Sequence, residues 1–260
     1  MSSSFEKRLT REFGHVWNVK KAKYLILKYT NILSSSYVDI LSPFFDNCYH
    51  YVSNILGIRT EQRPIIYLSG TTGNNIHTEE IPWDSSIPHL NVAFINIGKS
   101  NQVLRTTITH ELVHILSYCW DKRIYHVEML EEGLACYLSR KEQNLHRVYL
   151  NEMLMAFKKE EFCDFTLFIT EKRGNLDYHK AASFTKYLIE RYGMSIFKKL
   201  YLASTVDFKG KAFMKNNHPI PKTLVYNLVN KVYCDNPVRI QIDWLNEVYI
   251  KGKRRNTNPS

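Results

Sequence analysis

The sequence predicts an α+β protein. Short apolar runs of strand type fall before residue 98, and from Asn101 onward apolar residues recur at helical spacing, segment after segment. A stretch rich in Gly, Thr, Asn, Ser and Pro, from Ser69 to His89, separates two of the strand-like runs and reads as a long loop.

Taken in order, Tyr24 to Tyr29 reads as extended. Ser42-Pro43 then offers a helix N-cap and a first-turn proline. The helix that follows carries Phe45, Tyr49, Val52 and Leu56 on one stripe and stops at Gly57. Pro64 to Leu68 and Asn91 to Ile97 are the two further strand-like runs. Val103, Leu104, Ile108, Leu112, Val113 and Ile115 predict a helix from Asn101 to about Cys119, with no Gly or Pro to break it. Further helices are expected over Glu128–Lys141, His146–Lys158, Tyr178–Tyr192, Ser195–Ala203, Pro221–Val232 and Val238–Tyr249. The chain is therefore expected to form one catalytic unit of two lobes. Residues 1–120 form a small lobe with strands, 121–250 a helical lobe, and 251–260 a solvated basic polar tail.

Composition narrows the functional classes. A hydrophobic fraction of 44% and a charged fraction of 23% exclude a fibrous or disordered chain. The net charge of +10 would attract nucleic acid, an acidic polypeptide or a phospholipid surface, without choosing among them. No apolar run is long enough for a signal-peptide core or a membrane span, so a cytoplasmic location is expected. The five cysteines, Cys48, Cys119, Cys136, Cys163 and Cys234, are odd in number, widely spaced and form no CxxC pair, so buried free thiols are expected.

The chemistry concentrates in His110-Glu111-Leu112-Val113-His114, an HExxH motif within the Asn101–Cys119 segment. Residues four apart on a helix project from one face, so both imidazoles can reach a single zinc ion, with Glu111 turned toward an open coordination position. There the carboxylate can take a proton from an activated water and return it to a leaving amine. The plainer alternative is a helix with two surface histidines and a surface glutamate. The apolar neighbours Leu112, Val113 and Ile115 favour a helix buried on one side.

A zinc peptidase needs a third protein ligand and one open site. HELVH followed by Glu131-Glu132-Gly133-Leu134-Ala135-Cys136-Tyr137 resembles the gluzincin metallopeptidases, especially the peptidase MA-like group and related aminopeptidases. The resemblance implies a zincin-like fold, one zinc ion per chain and a peptide or protein substrate, with the Glu before Gly133, Glu132, as third ligand. Glu131 faces another way on the helix, and Glu128 shares the Glu132 face but lies nearer the loop. Asp121 and His126 remain alternatives with no motif behind them. A metzincin would need Gly at 117 and His at 120, where this chain has Ser117 and Trp120.

Tyr178 to Phe184 and Tyr187 to Gly193 are similar to the downstream helix of the same group, and Asp243-Trp244-Leu245 is weakly similar to its end. The resemblance implies a Tyr or His that stabilises the oxyanion, for which Tyr178 and His179 are the candidates. It also implies an edge strand that holds extended substrate, for which Asn91 to Ile97 is in the right place. One position departs from the pattern: thermolysin-like members carry an acidic residue four after the ligand Glu, where this chain has Cys136. No GxMEN-like exopeptidase segment is present, and endopeptidase and aminopeptidase action both stay open.

The expectation is thus a zinc metallopeptidase. Two alternatives stand beside it. One is a non-catalytic protein of the same fold that engages nucleic acid or an acidic partner through its basic surface. The other is a toxin or processing protease with one dedicated target.

Overall fold

A computed structural model describes residues 17–31, 33–69, 85–87, 91–97, 100–121, 128–141, 145–158, 178–208 and 222–253. Its class is α+β, with one mixed sheet and helices making up most of the rest. The chain divides into two compact units, Met1–Lys122 and Arg123–Ser260.

The first unit holds the sheet: β1 (Asn18–Lys21), β2 (Ile26–Tyr29), β3 (Ile65–Ser69), β4 (Ser85–Ile87) and β5 (Val92–Asn96), in spatial order β1-β2-β3-β5-β4. The central pairs β2–β3 and β3–β5 are parallel, and the outer pairs β1–β2 and β4–β5 are antiparallel. Register sorts the side chains to two faces. Tyr67 lies opposite Phe94 and Ile65 opposite Val92. With Trp17 they form one apolar cluster, Tyr67 stacked on Phe94 and edge-on to Trp17. Ile66, Leu68, Ala93 and Ile95 project to the other face, all fully buried. Such near-continuous burial is what parallel strands covered on both sides require.

Asn91 to Ile97 was expected as an edge strand, but β5 runs between β3 and β4 and both its edges are paired. The outer strand on this side, among the described residues, is β4. It lies within the stretch read as loop, because Ser85-Ser86-Ile87 carries one apolar residue and owes its extended form to pairing, Ser86 with Ala93 and Ile87 with Val92.

Two helices complete this unit. The first, α1 (Ser35–Leu56), begins well before the expected Ser42-Pro43. Ser34 is the N-cap, its hydroxyl accepting from the Tyr37 N–H at 3.2 Å, and Pro43 sits inside the helix on its exposed side. There the carbonyl one turn back loses its helical partner but keeps access to water, so the proline is tolerated. The C-terminus is as expected: Gly57 takes the left-handed conformation, φ 65°, that closes a helix. Asp46 of α1 accepts from the Lys23 and Tyr24 N–H groups at 2.9 and 2.8 Å, pinning the β1–β2 connection to the helix.

The second helix, α2 (Asn101–Ser117), packs on α1 and against β4 and β5, and runs into a 3₁₀ turn at Tyr118–Trp120. The Trp120 indole N–H donates to the Leu56 carbonyl at 3.2 Å, tying the end of α2 to the end of α1.

The second unit is helical among the described residues: α3 (Glu128–Ser139), α4 (Leu145–Lys158), α5 (Tyr178–Tyr192), α6 (Met194–Phe208), α7 (Lys222–Tyr233) and α8 (Pro237–Lys253). α3 packs on α5 and α4 on α8. Both contacts need a glycine. A Cβ on Gly133 would lie 2.8 Å from the Ala181 carbonyl oxygen, and one on Gly252 would lie 2.9 Å from the Leu150 side chain. The core centres on Trp244, which stacks on Tyr149 and meets Phe184 edge-on. α8 continues through Lys253, so the first residues of the expected basic tail are helical, with Lys251 paired to Glu247 at 2.6 Å. Residues 254–260 lie outside the described residues.

No helix among the described residues is long and apolar enough to cross a membrane. Of the cysteines, Cys48 and Cys136 are buried free thiols as expected, whereas Cys119 and Cys234 are exposed. Each exposed thiol lies just past the regular part of a helix, where the apolar stripe has ended. Cys163 lies outside the described residues.

Candidate metal centre

The HExxH residues occupy the last two turns of α2. Leu104, Ile108, Leu112, Val113, Ile115 and Leu116 are buried on more than one side, so this end of the helix is enclosed rather than amphipathic. Its polar residues share that enclosure. Glu111 is 5% exposed and His114 6%, while His110 is half-buried. Polar groups removed from water this far are costly unless they have partners or a ligand.

The helix repeat brings the two imidazoles together. Nε2 of His114 lies 3.0 Å from Nε2 of His110, with ring centroids 4.7 Å apart and planes at 77°. One ring must donate a proton for that contact to be a hydrogen bond. The same two nitrogens, both unprotonated, suit a shared ion: bonds of about 2.0–2.1 Å at tetrahedral angles set ligand nitrogens about 3.3–3.4 Å apart. A separation of 3.0 Å needs only a slight spreading of the rings. The helix end adds a second favourable factor, since the last-turn carbonyls carry partial negative charge that stabilises a cation. His114 lies in that last turn. The donor chemistry and spacing of this pair therefore fit a zinc ion.

Glu132 lies on α3 in the second unit and is half-buried, as is Glu131 beside it. Gly133 follows directly, at the point where α3 meets α5 most closely, so the backbone that carries Glu132 is fixed by that contact. Cys136, one turn on, is buried within α3. A thiol there gives hydrophobic packing where an acidic residue would give a hydrogen-bond acceptor.

Tyr178 and His179 open α5. Tyr178 is 44% exposed and His179 half-buried. Of the alternative ligands, Asp121 caps the 3₁₀ turn, its N–H donating to the Tyr118 carbonyl at 3.2 Å. His126 lies outside the described residues.

One group escaped the sequence reading. His146 of α4, Glu190 of α5 and Glu247 of α8 each offer a ligand atom within 4.8 Å of the others. Their separations along the chain follow no motif, and only the packing of three helices assembles them. Compared with models of known protein families and with curated proteins, the chain matches none.

Proposed function

We propose that the chain is a zinc-dependent peptidase of zincin-like fold, in which His110, His114 and Glu132 hold one zinc ion and Glu111 is the general base. The observation that carries this reading is the imidazole pair. Nε2 of His110 and Nε2 of His114 lie 3.0 Å apart at an enclosed helix end that also buries Glu111, and Glu132, the Glu before Gly133, would add the third ligand. Two imidazoles and one carboxylate leave a tetrahedral ion one open position, the arrangement of a catalytic zinc rather than a structural one.

When bound, the ion supplies a Lewis acid that polarises a carbonyl and lowers the pKa of water to about 7. The remaining roles belong to the chain. Glu111 accepts a proton from the attacking water and delivers it to the leaving amine, and its burial keeps bulk water out of that transfer. Tyr178 or His179 donates to the oxyanion of the tetrahedral intermediate. The substrate is a peptide or protein, and the outer edge of β4 is the strand to which an extended segment would add.

Elemental analysis and cleavage of a peptide library test the proposal together. One zinc at the HExxH centre is expected, with hydrolysis lowered by about 10²-fold or more in Glu111→Gln while that ion is kept. A Glu111→Gln protein that cleaves as fast as the wild type would falsify the assignment of the base.

A further inference from the structure

We propose a second divalent-metal site in the helical unit, formed by His146 of α4, Glu190 of α5 and Glu247 of α8, which clips the three helices together. Three ligand atoms, one from each residue, lie within 4.8 Å of one another. Two carboxylates near a histidine would not by themselves make a site. What points to a ligand is the state of the imidazole.

His146 has a side chain only 1% exposed, and its Nε2 has no hydrogen-bond partner among the described residues. That nitrogen faces the carboxylates, 3.5 Å from Glu247 Oε1, a distance too long for a good hydrogen bond. The other ring nitrogen is held: Nδ1 lies 2.9 Å from Ser183 Oγ, and the same oxygen accepts from the Trp244 indole N–H at 3.1 Å. Ser183 and Trp244 thus fix the ring plane and aim Nε2 at Glu190 and Glu247. An oxygen partner on Nδ1 that turns Nε2 toward carboxylates is how proteins orient a metal-binding histidine.

Two ammonium groups occupy the carboxylates. Lys186 pairs with Glu190, and Lys251 lies 2.6 Å from Glu247 and 3.6 Å from Glu190. They offset the acidic charge but do not reach the orphan imidazole nitrogen. These lysine–carboxylate pairs are partly exposed, and screening and side-chain entropy offset much of their attraction. A divalent ion coordinated by three fixed groups competes well against them, and the lysines, on flexible stems, swing to solvent. One imidazole and two carboxylates suit a first-row ion such as Zn²⁺ or Mn²⁺.

The test separates this site from the HExxH centre. Zn²⁺ is added to the chelator-treated full chain, excess ion is removed, and bound metal is counted by elemental analysis. Two ions per chain are expected in the wild type, one in His110→Ala/His114→Ala, one in Glu247→Gln, and none in the triple variant. Thermal unfolding of His110→Ala/His114→Ala should rise by about 5–10 °C at a hundredfold excess over Kd, and Glu247→Gln should remove that rise. Glu247 is partly exposed, so its amide variant serves even where the histidine variants fold poorly. A folded His110→Ala/His114→Ala chain that binds no ion, or one whose ion survives Glu247→Gln, overturns the proposal. Failure of the HExxH reading has a different signature: a wild type with one ion that Glu247→Gln abolishes.

Discussion

Nε2 of His110 and Nε2 of His114 face each other at 3.0 Å across one turn of an enclosed helix, next to a glutamate that is itself buried. Removing one ring of this pair should cost the ion most of its affinity, since the remaining groups no longer fill three corners of a tetrahedron. His114→Ala is expected to lose zinc at the HExxH centre. Glu111→Gln should retain it, because the base is not a ligand, and should lower kcat by about 10²-fold or more. Metal content and peptide turnover, measured on the same preparations, check both outcomes. Equal zinc at that centre in His114→Ala and wild type would remove the imidazole pair from the metal's coordination.

Gly133 gives a second expectation, because it joins the packing of α3 to the placement of Glu132. A methyl group at 133 would come 2.8 Å from the Ala181 carbonyl and closer still to the Thr185 hydroxyl. Backbone cannot yield as a flexible side chain can, so α3 must move away from α5. Gly133→Ala should destabilise the chain by about 1–3 kcal/mol, as overpacked interiors generally do. It should also weaken zinc binding by displacing the neighbouring carboxylate. The check is calorimetry combined with metal titration. Unchanged zinc affinity in a folded Gly133→Ala chain would dissociate Glu132 from the site.

These residues show which parts of the fold are legible in sequence. α5 was readable to its bounds, Tyr178 to Tyr192, since an unbroken apolar period and a terminal Gly193 are local signals. The HExxH spacing is local too, and it carried the imidazole pair. Elements that depend on partners were not readable. β1 presents Val19 to solvent and is a strand because Asn18 to Lys21 pairs with Ile26 to Tyr29. β4 is hidden in polar sequence for the same reason. The His146, Glu190 and Glu247 group is the extreme case, assembled by three helices with no periodicity to announce it.

Tyr67 supplies a prediction about pH. Its ring is packed between Trp17 and Phe94, and burial pushes its pKa up from 10 to about 12. The folded state therefore holds its proton over a window in which the unfolded chain has released it. Unfolding then becomes more favourable as pH rises, so stability is full below about pH 10 and falls progressively toward pH 12. The loss is on the order of 2–3 kcal/mol. Urea unfolding at a series of alkaline pH values should show this slope, and Tyr67→Phe should make it shallower by the share of Tyr67, leaving that of the other buried tyrosines, Tyr187 and Tyr233. A slope identical in Tyr67→Phe would assign the alkaline loss to other groups.

Pro43 misleads a reading of α1 and yields the last prediction. A proline early in an apolar-periodic segment is a reasonable first-turn signal, yet the helix is already under way from Ser35, capped by Ser34. The ring removes one backbone donor and leaves the Asp39 carbonyl without its helical partner. Because Pro43 is exposed, Pro43→Ala restores that hydrogen bond without opening a cavity. Helix propensity, which already includes the stiffness of the unfolded proline chain, favours alanine by up to about 3 kcal/mol, and a proline on a water-facing side of the helix forfeits only part of that. Pro43→Ala should therefore stabilise the chain by about 1–2 kcal/mol, with no change in metal content. A lower Tm in Pro43→Ala would mean that the proline sets a bend on which the packing of α1 against α2 relies.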